Sequence, residues 1–321
     1  MHRRLTTVLV ALVASAATRS VRAQAKACPA EAIDSSTMLN DLTRLADDSM
    51  QGRRVGTTGN FKARDFIAAR FDALGLDRIP PGRIQPFTAP TRRGTISGFN
   101  VVGLIAGSAS PNEYIVVSAH FDHIGRVEPG AQCRPTGADS ICNGADDNAS
   151  GTAALLALAR LFEQERPRHS IAFVAFDAEE SGDVGSHAWM ASPPMPVDQM
   201  LIDVNMDMVG RNVHNELYAA GPTKYPKLRP LVEATIGCSA IKLTIGHDGP
   251  GAPGGDDWTN QSDQGAFNDR GIPFVYFGEE DHPDYHRATD HADRIMPAFY
   301  TGAVRDVADF IRRIDAAPPK R

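Results

Sequence analysis

Cysteine is scarce in this chain. Only four of the 321 residues are Cys, and no two stand in a CxxC pair, which argues against a cysteine-ligated metal module. Basic residues are in deficit too: 33 Lys and Arg face 39 Asp and Glu, for a formal charge of −6. An acidic protein is a poor partner for nucleic acid or anionic lipid. The apolar run near the start, LTTVLVALVASAA, is too short to span a bilayer comfortably. Internal repeats and low-complexity tracts are missing, and 42% hydrophobic with 22% charged residues is ordinary globular composition.

What is present begins with an address. MHRR is basic, the apolar run follows, and AQA (Ala23 to Ala25) supplies a small-x-small cleavage signal. That order is the order of a secretory signal peptide. Cleavage after Ala25 removes four arginines and no acid, taking the formal charge from −6 to −10. The expectation is an exported protein, periplasmic or extracellular, with no membrane attachment once residues 1–25 are gone. Cys28, Cys133, Cys142 and Cys238 all lie beyond the cleavage point, and an even number in an exported chain suggests disulfides. Cys133 and Cys142 close a short loop and are the first-choice pair; Cys28 with Cys238 follows only by elimination.

Residues 26–321 show no break in composition, so one domain is expected. Apolar residues at helical spacing mark helices at 35–48, in a segment ending at Gly75, at 150–164 and at 298–314. Residues 80–98 read as a Pro-, Gly- and Arg-rich connection. Runs of β-branched and aromatic residues mark strands at 99–107, 113–120, 170–177, 200–207 and 272–278. Several lack polar alternation, as expected of strands buried on both faces. Strand–helix–strand alternation predicts an α/β three-layer sandwich, a mixed, mostly parallel central sheet flanked by helices.

In such sheets, sites gather at the carboxyl ends of the strands. Each strand candidate bearing chemistry ends in residues that ligate metals. His120 and Asp122 close one; Asp177, Glu179 and Glu180 another; Asp207 a third; His282, His286 and His291 follow the last. Asp146 and Asp147 stand together in NGADDNASG, with no Lys or Arg in the stretch. Singly, each has an ordinary explanation: a hydrogen-bonding His, a helix N-cap, a solvated turn. Adjacent anions at so many strand ends need a positive partner. Oxygen and imidazole donors without Cys suit Zn²⁺ in an open, catalytic site, or a related divalent ion. Asp147, nearer the helix start, is the better bridge between two ions. Glu179 and Glu180 then divide the work, one binding metal while the other takes a proton from water.

The motifs SAHFDHIG, NGADDNASGTAALLALAR, FVAFDAEESGDVGS, NMDMVGR, SDQGAF and DYHRATDHAD, in that order, resemble those of the secreted dizinc aminopeptidases. That family is related to glutamate carboxypeptidase and glutaminyl cyclase. The resemblance covers roughly residues 50 to 315 and implies a zinc-exopeptidase fold holding two Zn²⁺, with Co²⁺ or Mn²⁺ as substitutes. It implies that His120 and Asp207 hold one ion, Glu180 and His286 the other, and that Asp147 bridges both. Glu179 becomes the general base, Asp122 the acid that orients His120, and Tyr285 a residue that polarises the scissile carbonyl. A cis peptide between Asp147 and Asn148 is implied as well.

The implied reaction is hydrolysis of the N-terminal peptide bond of peptides with a free amino terminus, by a monomer. A glutaminyl cyclase-like acyl transfer, or dipeptide hydrolysis, is the alternative on the same scaffold. A carboxypeptidase-type lid domain has no room, because only 105 residues separate Glu180 from His286 and they include core strands. The sequence departs from the family pattern at Gln264, where His often follows Ser-Asp. Asp263 and Gln264 either line the pocket or support the fold. Loops 124–142 and 246–258 read as cleft rims, and His123, His247, His282 and His291 as non-ligands.

Overall fold

A computed structural model describes Cys28 and residues 33–318, apart from 93, 129–131, 250 and 252. The chain divides into two units, Met1–Ala30 and Glu31–Arg321. The signal-peptide reading of residues 1–25 lies outside the described residues. No helix among the described residues is long and apolar enough to cross a membrane.

The second unit is built on eight strands: β1 (Ile84–Thr91), β2 (Gly94–Ile105), β3 (Ser110–His120), β4 (His169–Phe176), β5 (Met200–Asp207), β6 (Glu216–Ala220), β7 (Lys242–Ile245) and β8 (Phe274–Gly278). They form one sheet in the order β1-β2-β4-β3-β5-β8-β6-β7. The central run β4-β3-β5-β8 is parallel, while β1-β2, β2-β4 and β8-β6 are antiparallel. The carboxyl ends of the four central strands therefore lie along one edge. β4 and β5 flank β3 on opposite sides, so the chain reverses direction there and opens a crevice, the usual place for a site in such sheets.

Among the described residues seven α-helices accompany the sheet: α1 (Ser35–Leu45), α2 (Thr58–Ala73), α3 (Gly151–Glu165), α4 (Val184–Ala191), α5 (Arg229–Ile236), α6 (Gln264–Asn268) and α7 (Pro297–Ala316). Strand side chains alternate between two cores, as the period of two requires. Ile115 and Val117 of β3 and Phe173 and Ala175 of β4 join the cluster that includes α1, α2, α3 and α7. Val116, Ala172, Val174 and Phe176 face the other way, against Trp189 of α4 and Phe267 of α6. β4 is buried at every position, which is why its sequence shows no polar alternation.

All five strands expected from the sequence are present. Residues 84–91, read as connection, form strand β1 instead, paired with β2 in a hairpin. It is an edge strand, the place where Pro86 and Pro90 are tolerated in a sheet. β6 and β7, only five and four residues long, were not legible. Cys133 and Cys142 are disulfide-bonded, with Cα atoms 5.7 Å apart, and no free cysteine occurs among the described residues.

Candidate active site

Strand termini supply the site. β3 ends on His120, β5 on Asp207, and β4 hands over through Asp177 and Ala178 to Glu179 and Glu180. Asp147 precedes α3, and its peptide to Asn148 is cis. Ala178, Met208 and His286 all take positive φ. Such conformations cluster at functional sites when the surroundings over-determine them.

The donors converge in two groups that share Asp147. His120 Nε2 lies 3.2 Å from Asp207 Oδ1 and 3.5 Å from Asp147 Oδ1. His286 Nε2 lies 3.2 Å from both Asp147 Oδ2 and Glu180 Oε2. Two donors on one tetrahedral zinc, each bonded at about 2.0–2.1 Å, stand roughly 3.3 Å apart. The observed spacings match that separation, so the chemistry and spacing of the two groups, which share Asp147, are those of residues that could hold metal. Glu179 sits above them, Oε2 3.8 Å from His120 Nε2.

The surrounding residues hold this geometry. Asp122 Oδ1 accepts the Glu179 N–H at 3.0 Å. Its carboxylate is 3.7 Å from His120 Nδ1, beyond a good hydrogen bond, whereas its main-chain oxygen is 3.2 Å away. Asp122 thus meets the imidazole mainly through its carbonyl and ties Glu179 to the end of β3. Tyr285 stacks on His286, ring centroids 3.9 Å apart.

Other residues in the site were missed by sequence reasoning. His123, read as a bystander, is buried and its Nδ1 lies 2.7 Å from Glu180 Oε1. That distance is a hydrogen bond, shorter than the spacing of two zinc donors. His123 therefore braces the oxygen of Glu180 that does not face His286. Arg53 is fully buried and donates to the carbonyls of Phe121, Leu45, Asn143 and Gly144 at 2.6–2.9 Å. It ties α1 and the ends of β3 to the segment that carries Asp147. Burial lowers it to about 10, while Asp147 and Asp122 pull the other way. Gly144 has φ 57; a Cβ there would collide with the Asp147 carbonyl and the His123 ring.

Two readings resolve differently from a ligand role. Asp177 is buried, pushed up to about 8 by burial and then by Asp122. It accepts from Asn60 Nδ2 and the N–H groups of Phe99 and Ala178, so it caps strands. Gln264 is buried and donates to the Trp258 carbonyl at 2.7 Å while accepting from Asn205, so it supports the fold; Asp263 beside it is buried.

Electrostatically, the site is starved of positive charge. Burial opposes protonation of His286, yet Asp147 and Glu180 raise it to about 10. Burial would raise Glu180, but the hydrogen bond from His123, then His286, holds it well below the usual range. Burial, reinforced by Asp207 and Glu180 against the pull of His120, pushes Glu179 well above its ordinary value. Outside the donor set, Asp146 accepts the Gly210 N–H at 2.7 Å and faces His282 Nε2 at 3.3 Å.

An α/β sandwich with two imidazole–carboxylate groups joined by one acid, at the carboxyl edge of parallel strands, has the architecture of a zinc exopeptidase. Residues 100–311 match the model of peptidase family M28, and the chain belongs to that family. A probable zinc metalloprotease of Pyrenophora teres f. teres (strain 0-1) is 31% identical over 153 residues, 46% of this chain and 30% of that protein. The chain spans 24–52% of the length of this and three further fungal relatives. In fold it is similar to an aminopeptidase from Aneurinibacillus sp. strain AM-1 (TM-score 0.70, 17% identity, covering 90% of this chain and 95% of that one). It is likewise similar to Bacteroides thetaiotaomicron glutaminyl cyclase (TM-score 0.68, 18% identity, 88% and 99% covered).

Proposed function

We propose that this protein is an exported, dizinc aminopeptidase. The observation that carries the reading is Asp147, whose two oxygens stand 3.5 and 3.2 Å from the imidazoles of two separate donor groups. His120 and Asp207 would hold one zinc, Glu180 and His286 the other, and Asp147 both. When bound, the zinc pair supplies Lewis acidity that activates water and polarises the scissile carbonyl. The protein does the rest. Glu179, its backbone fixed by Asp122, takes the proton of the attacking water and returns it to the leaving amine. Its raised proton affinity suits both halves of that shuttle. Tyr285, stacked on His286, would donate to the carbonyl oxygen as charge develops there. The Cys133–Cys142 disulfide suits an oxidising compartment.

Glutaminyl cyclase-like chemistry is the second reading, supported by the similarity to that fold. A complete second donor group favours hydrolysis. Glu179→Gln should retain zinc while losing aminoacyl-anilide turnover by at least about a hundredfold, the usual weight of a general base. Asp147→Asn should weaken both ions. Wild-type turnover in Glu179→Gln would remove Glu179 from its role, and cyclisation of an N-terminal glutamine without peptide hydrolysis would favour the rival.

A further inference from the structure

The cavity that opens on the donor residues, about 180 Å³, continues past Asp207 and His286 onto Asp256, Trp258, Tyr276, Glu279, Glu280 and Asp281. No lysine or arginine is among its described lining residues. Four of the residues just named are acids beyond those that would hold zinc. Trp258 and Tyr276 provide an aromatic wall, their ring centroids 5.6 Å apart and edge to face. Faces of that kind attract cations.

Glu279 is the decisive member. It follows β8 directly, is only 3% exposed, and its carboxyl, set against Asp146 and Asn212, accepts no short hydrogen bond from the described residues. Burial and then the Asp146 carboxylate push it up to about 12. Buried acids are ordinarily paired, because an unpaired one pays a desolvation penalty with no return. The nearby cations are engaged elsewhere: Arg211 with Asp284 at 2.7 Å, and His282 with Asp146 at 3.3 Å. Within the chain its carboxyl meets the equally acidic Asp146, so a cation arriving through the cavity would relieve the repulsion between the two.

We propose that this cavity receives a cationic side chain, so that the substrates are peptides whose amino-terminal residue is lysine or arginine. The proposal rests on the aminopeptidase reading: the residue whose amide reaches the donor groups has its side chain beside them, where the cavity begins. Glu279 meets the charged end, Trp258 and Tyr276 flank it, and Asp256, Glu280 and Asp281 steer it from the rim.

Lysyl- and norleucyl-p-nitroanilide share the α-amine and a four-carbon side chain, and differ by the terminal ammonium. A buried charge-assisted hydrogen bond predicts kcat/KM for the lysyl substrate at least about tenfold above the norleucyl one. Glu279→Gln should bring that ratio most of the way to unity, with arginyl over citrullyl anilide changing in parallel. If Glu279→Gln does not fold, Asp281→Asn and Asp256→Asn at the rim should each lower the ratio by a smaller factor. Norleucyl turnover equal to or above lysyl turnover in the wild type overturns this proposal alone. Failure to turn over any aminoacyl anilide with zinc supplied overturns the aminopeptidase reading and this proposal with it.

Discussion

Replacing Arg53 by Met keeps most of the aliphatic stem and deletes the guanidinium, which makes hydrogen bonds to four main-chain carbonyls from full burial. Hydrogen bonds from a charged donor contribute about 1.5–3 kcal/mol each, and a carbonyl stripped of its donor costs about 1–3 kcal/mol. The full sum overstates the loss. Gly144 keeps a second donor in the Ala149 N–H at 3.1 Å, and the mutant no longer has to desolvate a cation. A net loss of about 3–5 kcal/mol is expected, matching the range for breaking a buried charged network. For a chain of this size that is a fall in Tm of roughly 5–8 °C. Zinc retention should fall with it, because the same bonds hold the segment carrying Asp147 against the end of β3. Thermal unfolding followed by circular dichroism, with zinc measured after dialysis, reads both effects. A Tm within about 1 °C of wild type with zinc unchanged would refute the idea that Arg53 organises the site.

Other expectations follow the same logic. His123→Leu should free Glu180 Oε1 and weaken zinc at that group by about 10–100-fold, the usual penalty for losing a residue that orients a ligand. His123→Asn, which keeps a donor near Nδ1, should recover part of it in a competition titration with a chelator. Gly144→Ala should lower both Tm and zinc content, since the added methyl meets the Asp147 carbonyl and the His123 ring; unchanged thermal unfolding would count against that contact. Asp203 is fully buried, accepts from Ser118 Oγ at 2.8 Å, and is pushed up to about 8 by burial. Its folded value exceeds its unfolded one, so the native state binds the extra proton. Its ionisation therefore lowers stability as pH rises from about 4 to about 8, by about 1.4 kcal/mol per pH unit in that window. Asp203→Asn should then gain on wild type between pH 5 and pH 7.5 in urea unfolding, and an equal difference at both values would contradict the assignment.

The sequence carried the site further than its scaffold. His120, Asp147, Glu180, Asp207 and His286, which the structure brings together, could be singled out because each follows a strongly apolar strand or precedes an apolar helix, where a charge needs a reason. β6 and β7 were not, since strands of five and four residues give too short a pattern. β1 was hidden by Pro86 and Pro90, which read as connection and are in fact tolerated at the sheet edge. Arg53 and His123 escaped for another reason. Nothing local in GRRVG or HFDHIG separates a buried Arg that gathers carbonyls from a solvated one, or a bracing His from a bystander. Those roles arise only when segments distant in the chain meet, as Arg53 meets Asn143. Glu279 stands in an acidic GEED run with nothing local to separate it from solvated surface, yet at the end of β8 it is buried.

Zinc stoichiometry of the protein, measured after dialysis at neutral pH, decides the matter most directly. Two ions per chain, falling in Asp207→Asn and in Glu180→Gln and most of all in Asp147→Asn, is the expected result. A wild-type chain offered zinc that retains none, or zinc content indifferent to all three substitutions, would contradict a centre bridged by Asp147.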